Sequence, residues 1–249
     1  MKYIAALKHN PWLRLMRFDK PIVIYLLLWP TYWGLWFASN GQPTIKNLII
    51  FTLGVLVMRA AGCVINDYAD RKVDGAVERT KNRPIPAGEI SPKQALALFS
   101  FLLTGALILA LQTNTMTITL AIIGVLLAVI YPFLKRLTNL PQLGLGMAWA
   151  LAIPMAFTAE QQALPAGLWL ISAAIVLWTV AFDTYYAMAD REDDLKIGIK
   201  STAILFGKQD LLIIAILQIL ALILLALAGS YFQRGWIYSA GLIIAEAYF

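Results

Sequence analysis

Asn66, Asp70 and Asp74 stand four residues apart at the polar end of a long apolar run, Ile49 to Ile65, broken only by Thr52 and Arg59. On a helix, side chains four apart share one face at about 6 Å per step, so a helix continued past Ile65 predicts a column of three oxygen donors. The spacing returns at Tyr186, Asp190 and Asp194, with Asp183 about one turn earlier. Carboxylates stacked this way repel one another unless a cation lies between them. Hard oxygen donors suit Mg2+, which keeps several waters and is shared between one or two carboxylates and substrate phosphates. Two such columns facing each other predict a diphosphate bridged by magnesium.

The neighbouring cations fit that chemistry. Arg71, Lys72, Arg79, Lys81 and Arg83 follow the first column, Lys135 and Arg136 follow Tyr131-Pro132-Phe133, and Arg191, Lys196 and Lys200 follow the second. They are placed to neutralise phosphate oxygens and to stabilise a departing pyrophosphate. The plainer reading is that charges at helix ends only solvate the membrane surface. It applies to Lys2, Lys8, Lys46, Lys93, Lys208 and Arg234, and Trp29, Trp33, Trp36 and Trp236 read as membrane-belt or packing residues. It weakens for the two columns, because acidic residues are scarce, the spacing repeats and both columns lie beside the long loops. Arg59 is a cation inside an apolar run, which makes it a functional candidate by default. It precedes Asn66 by two turns, about 10 Å deeper on the same face. Holding a substrate carboxylate and forming a structural pair are both open for it.

Positioning these groups falls to membrane helices. With 60% hydrophobic and 14% charged residues and a mean hydropathy of +0.72, the chain is an all-α, polytopic transmembrane bundle rather than a soluble domain. Apolar runs at 22–38, 47–65, 95–112, 115–134, 142–159, 166–188 and 211–228 predict seven complete spans within one domain, residues 1–249. An eighth run from Trp236 has only 14 residues to Phe249, about 21 Å as a helix, too short to cross comfortably. Of the 20 Lys and Arg residues, 17 lie on one side of these spans: five before residue 21, six in 66–93, two in 135–141 and four in 189–210. The positive-inside rule makes that side cytoplasmic, so the N-terminus and both acidic columns lie there. Basic residues beside apolar spans read as orientation, not as a nucleic-acid surface. A single cysteine, Cys63, and a single histidine, His9, leave no disulfide framework and no zinc or iron cluster. Acidic columns of equal spacing four helices apart suggest an internal repeat.

The run from Met58 to Asp74, ending in Asn66-Asp67-Tyr68-Ala69-Asp70-Arg71-Lys72-Val73-Asp74, resembles the first Asp-rich motif, NDxxDxxxD, of the UbiA-type intramembrane prenyltransferases. Asp183 to Asp194, read as DxxYxxxDxxxD, resembles the second, and Arg17 to Pro21, Arg79 to Pro84, Tyr131 to Arg136 and Lys200 to Gly207 extend the likeness over nearly the whole chain. Within the family it is most similar to the bacterial enzymes that prenylate 4-hydroxybenzoate for ubiquinone. The resemblance implies a nine-span bundle in the bacterial inner membrane, against which the last part here is expected to be missing. It implies Mg2+ held by Asn66, Asp70, Asp74, Asp190 and Asp194, and Arg136 beside the diphosphate. The implied reaction is ionisation of an allylic polyprenyl diphosphate and attack by the ring carbon ortho to the phenol hydroxyl, with Arg59 and Tyr131 toward the acceptor and Asp67 or Asp183 accepting the proton. A lipid-facing wall would take the isoprenoid tail. Homogentisate, dihydroxynaphthoate and haem stay open as acceptors, and chain length and oligomeric state are not legible. A secondary transporter is the competing class, but transporter sites sit near the midplane on broken helices, not at helix ends beside cationic loops. A structural subunit would need neither column.

Overall fold

The computed structural model describes residues 9–76 and 80–246, and every regular element among them is helical. Asn10 starts α1 (Pro11–Leu15), its side chain accepting from the backbone N–H of Trp12 and Leu13. There follow α2 (Ile22–Ala38), α3 (Ile45–Asp70), α4 (Pro92–Ala110) and α5 (Thr115–Leu137). Then come α6 (Pro141–Ala150), α7 (Ala152–Gln161), α8 (Leu168–Ile197), α9 (Thr202–Phe206), α10 (Asp210–Tyr231) and α11 (Trp236–Glu246). Ser91 and Gln94 cap α4 reciprocally, each side chain bonded to the other's backbone.

Six stretches among the described residues are long and apolar enough to cross a membrane: Ile45–Asp70, Pro92–Ala110, Thr115–Leu137, Pro141–Gln161, Leu168–Ile197 and Thr202–Tyr231. The protein is therefore a multi-pass membrane protein. Six of the seven complete spans expected are met; the remaining one, α2, has 17 residues and is about 25 Å long. Outward side chains such as Phe101, Ile122, Leu126, Leu212 and Ile219 stay exposed, as lipid-facing apolar groups do.

Two expected spans differ in shape. The run at 142–159 breaks at Leu151, where α6 ends and α7 begins. Pro154 has no N–H to return to the carbonyl of Ala150, so the ladder is interrupted there. Below the break Thr158 bonds the carbonyls of Pro154 and Met155 and lies 2.8 Å from the hydroxyl of Thr117. The run expected to end at 188 continues as helix to Ile197, where Gly198 (φ 72°) closes it with its N–H on the carbonyl of Asp194.

The chain divides into two compact units, residues 1–29 with 48–113 and residues 30–47 with 114–249. The first is centred on Leu15, Val64, Ile85, Ile90 and Ala95, so the segment 80–90 packs its isoleucines beneath the chain instead of hanging in solvent. The second gathers Phe37, Ile153, Phe157, Leu168, Ile171 and Leu225. There α6 approaches α8 closely: a Cβ on Gly146 would lie 3.0 Å from the carbonyl oxygen of Val176. Arg234, expected only to solvate the surface, donates to the carbonyl of Phe37 at 2.8 Å and lies 4.9 Å over its ring.

Candidate functional site

In the first unit, α3 keeps Asn66 and Asp70 in register but stops at Asp70, so the expected three-step column is corrected: Asp74 is off the helix. Val73 turns its N–H back to the carbonyl of Asp70 at 2.8 Å, and Asp74 opens a short 3-10 turn with Ala76. What replaces helical register is a return of the chain. The hydroxyl of Thr80 donates to the Asp74 carbonyl at 2.8 Å, and Arg83 Nη1 donates to Asp74 Oδ2 at 2.8 Å. Asp67, Asp70 and Asp74 are 0%, 1% and 5% exposed, while Asn66 is half-buried. Burial pushes the Asp74 carboxyl above its ordinary range, outweighing the pull of Arg83.

The same Arg83 Nη1 lies 3.1 Å from Asp67 Oδ1, and Arg17 Nη2 donates to that oxygen at 2.7 Å. Two guanidinium groups therefore converge on one oxygen of a fully buried carboxylate. Asp67 Oδ2 is buried and has no hydrogen-bond partner among the described residues. Arg14 grips the return segment from the other side, with Nη1 on both oxygens of Glu89 (2.9 and 2.8 Å) and Nη2 on the carbonyl of Asn82 (2.6 Å). Arg59 lies on the unbroken part of α3, so its shared face with Asn66 stands. Its Nε is buried without a hydrogen bond among the described residues, and it interacts electrostatically with Arg17, Asp67 and Asp19.

The cations expected to meet a diphosphate are placed differently from one another. Arg71 folds back on its own helix, donating to the Tyr68 carbonyl at 2.6 Å with its guanidinium 4.1 Å over the Tyr68 ring. Lys72 and Lys81 are exposed, Arg83 is engaged with carboxylates, and Arg79 lies outside the described residues.

In the second unit α8 is continuous through Asp183, Tyr186, Asp190 and Asp194, so the second column holds its register. The three aspartates are half-buried, and Tyr186 is exposed. Arg191 pairs with Asp210 at the start of α10, and the exposed Lys196 to Asp193 pair (3.2 Å) contributes little. Lys135, Arg136 and Lys200 are brought together: Lys200 N–H donates to the Lys135 carbonyl at 2.8 Å and its Nζ to the Leu137 carbonyl at 3.3 Å. The Arg136 guanidinium stands 5.9 Å over the Phe133 ring, and Tyr131 is half-buried one turn before Lys135. The strap behind Lys200 is fixed by Thr202, whose N–H donates to Gln142 Oε1 at 3.1 Å and whose hydroxyl meets that of Thr184 at 2.7 Å.

Among the described residues no three acidic, histidine or cysteine side chains converge tightly enough to enclose a metal by themselves. Mg2+ needs no such enclosure, since it takes one or two carboxylates and fills its octahedron with water and phosphate. The donors present are all oxygens, and the orphaned Asp67 Oδ2 is a buried acceptor that such a hydrated ion would satisfy. Asn66, Asp70 and Asp74 in the first unit, and Asp190 and Asp194 in the second, carry the kind of oxygen donor that magnesium takes. The residues that sequence reasoning missed are Arg14, Thr80, Asn82 and Glu89, together with the pairing of Arg17. The one signal was Arg17 to Pro21, a charged run read only as orientation and likeness.

The sequence pattern of the UbiA prenyltransferase family matches residues 27–249. The chain is 60% identical over 237 residues to the 4-hydroxybenzoate octaprenyltransferase of Ectopseudomonas mendocina (strain ymp), covering 95% of this chain and 80% of that one. It is 58% identical to the protein of the same name from Saccharophagus degradans, covering 95% and 79%. Its fold is similar to the apo structure of a UbiA homolog from Aeropyrum pernix K1, with a TM-score of 0.79 and 26% identity over 89% of this chain and 84% of that one. A UbiA homolog from Archaeoglobus fulgidus bound to GPP and Mg2+ shares the fold at a TM-score of 0.78 and 22% identity, covering 96% and 84%.

Proposed function

We propose, because the chain belongs to the UbiA prenyltransferase family, that it moves the polyprenyl group of a polyprenyl diphosphate to 4-hydroxybenzoate, at the ring carbon ortho to the hydroxyl, in ubiquinone biosynthesis. The observation that carries this reading is 60% identity across 95% of the chain to a 4-hydroxybenzoate octaprenyltransferase. The chain is an enzyme, a prenyltransferase of an aromatic acceptor. The finer placement in the bacterial inner membrane, with both motifs cytoplasmic, is supported by the 17 of 20 basic residues on one side.

Bound Mg2+ would supply Lewis-acid charge to the diphosphate as its bond to the allylic carbon breaks. Asn66, Asp70 and Asp74 would hold it at the first motif, and Asp190 and Asp194 at the second. Lys135, Arg136 and Lys200, joined through the Lys200 to Lys135 hydrogen bond, receive phosphate oxygens, with Lys72 and Lys81 exposed to do the same. Arg71 reaches them by leaving the Tyr68 carbonyl. Arg83 acts one step back, holding the carboxylates. Arg59, with an unused buried Nε, takes the acceptor carboxylate, and Tyr131 helps to place the ring. The attacking ring carbon forms the new bond as pyrophosphate departs, and the same carbon then loses its proton to restore aromaticity. Of the two candidate acceptors of that proton the geometry favours Asp183, because Asp67 is fully buried with two guanidinium groups on Oδ1.

The test is transfer from labelled polyprenyl diphosphate in membranes carrying this chain, with Mg2+ and either 4-hydroxybenzoate, homogentisate, dihydroxynaphthoate or haem. Prenylated 4-hydroxybenzoate is the expected product. Faster labelling of another acceptor would overturn the acceptor assignment, and no transfer to any of them would overturn the reaction.

A further inference from the structure

We infer that Arg17 is a positioning residue for the first acidic motif, acting through Asp67 and Arg83 on Asp74. The inference rests on the proposed metal role of Asp74. Arg17 is the left-handed residue (φ 60°) that closes α1: its N–H returns to the Arg14 carbonyl at 3.1 Å and that of Phe18 to the Leu13 carbonyl at 3.0 Å, which fixes where its side chain leaves the chain. From that turn Arg17 Nη2 donates to Asp67 Oδ1 at 2.7 Å. That oxygen also lies 3.1 Å from Arg83 Nη1, whose other contact is Asp74 Oδ2 at 2.8 Å.

One nitrogen thus serves two carboxylates, and its place between them depends on how much of the Asp67 charge Arg17 already neutralises. With Arg17 gone, Arg83 alone answers a fully buried carboxylate and is drawn toward it. Asp74 stands off the helix, so it has no backbone register to fall back on. Its remaining hydrogen bond among the described residues is from the Thr80 hydroxyl to its carbonyl, which holds the main chain and not the carboxylate. Arg17 therefore sets the carboxylate of Asp74 from 57 positions earlier in the chain, and touches neither substrate nor metal itself.

The experiment uses the full chain in detergent, free of metal, with two readouts. Amide hydrogen exchange over residues 80–90 reports whether the Arg83 segment is held. Titration with Mn2+, followed by its spin resonance, reports ligand placement without turnover. Arg17→Gln is expected to speed exchange across 80–90 and to weaken Mn2+ binding about tenfold, the scale of losing a group that orients a metal ligand. Arg17→Lys, which restores the charge, is expected to recover most of both. Unchanged exchange, or faster exchange with unchanged Mn2+ binding, overturns the inference. Wild-type protein that binds no Mn2+ overturns instead the metal reading on which it rests, and leaves the exchange arm standing. Should Arg17→Gln not fold, the pair Asp67→Asn and Asp67→Asn/Arg17→Gln replaces it. The two are expected to match in both readouts, because Arg17 acts only through Asp67, and a difference between them overturns the inference.

Discussion

Replacing Arg83 by methionine separates two accounts of that residue. If its task is to bind phosphate, the ligand-free protein should scarcely register the change. The structure assigns it instead to two carboxylates, Asp67 at 3.1 Å and Asp74 at 2.8 Å, whose side chains are 0% and 7% exposed. Removing one partner of a buried pair costs about 3–5 kcal/mol, mostly for the charge left behind. Arg83 is itself 13% exposed and Arg17 remains on Asp67, so the lower end, about 3 kcal/mol, applies. For a chain of this size that is roughly 6–12 °C of melting temperature. Thermal unfolding of the ligand-free protein in detergent, followed by tryptophan fluorescence, measures it. Asp67→Asn in the same background should restore part of the loss, because one stranded charge is then gone. A shift below about 2 °C for Arg83→Met, with no rescue, would refute the network as a stabilising element.

Three further outcomes are expected. Asp70→Ala and Asp190→Ala should each lower magnesium-dependent turnover by roughly a hundredfold or more, the scale of a lost metal-held charge; wild-type rates in either would end the two-motif mechanism. Arg59→Met should raise the KM for 4-hydroxybenzoate by about tenfold to a hundredfold through one lost charged hydrogen bond, with the KM for the polyprenyl diphosphate unmoved; equal shifts in both would place Arg59 elsewhere. Gly146→Ala should destabilise the ligand-free protein by about 1–3 kcal/mol, because the new Cβ meets the Val176 carbonyl oxygen at 3.0 Å; an unchanged melting temperature would mean that α6 and α8 part without cost.

Six of the seven expected spans and the register of Asp183, Asp190 and Asp194 were legible because apolar run length and a spacing of four are local properties of the chain. The break at Leu151 was legible in principle, since Pro154 announces it, but an 18-residue apolar run masks a missing hydrogen bond. The end of α3 was not. Nothing in Arg71-Lys72-Val73 forbids another turn of helix. The chain leaves it where Thr80 and Arg83, six and nine residues further on, offer Asp74 better partners. Nor could pattern alone reveal that Arg17 and Asp67, 50 residues apart, share a hydrogen bond. Arg17 has the same charge whether it orients a membrane protein or enters a buried network, and only the fold decides between these.

The length of α8 carries a mechanical consequence. Thirty residues make a rod of about 45 Å, against a hydrocarbon core of about 30 Å. Asp190 and Asp194 therefore ride at the far end of a stiff lever. Tilting that rod by about 5° about its midpoint sweeps the tip through roughly 2 Å, more than the ~1 Å misplacement that can cost a hundredfold in rate. The Arg191 to Asp210 pair and the strap from Lys200 to Lys135 brace the rod near its tip, where a small restoring force has the longest arm.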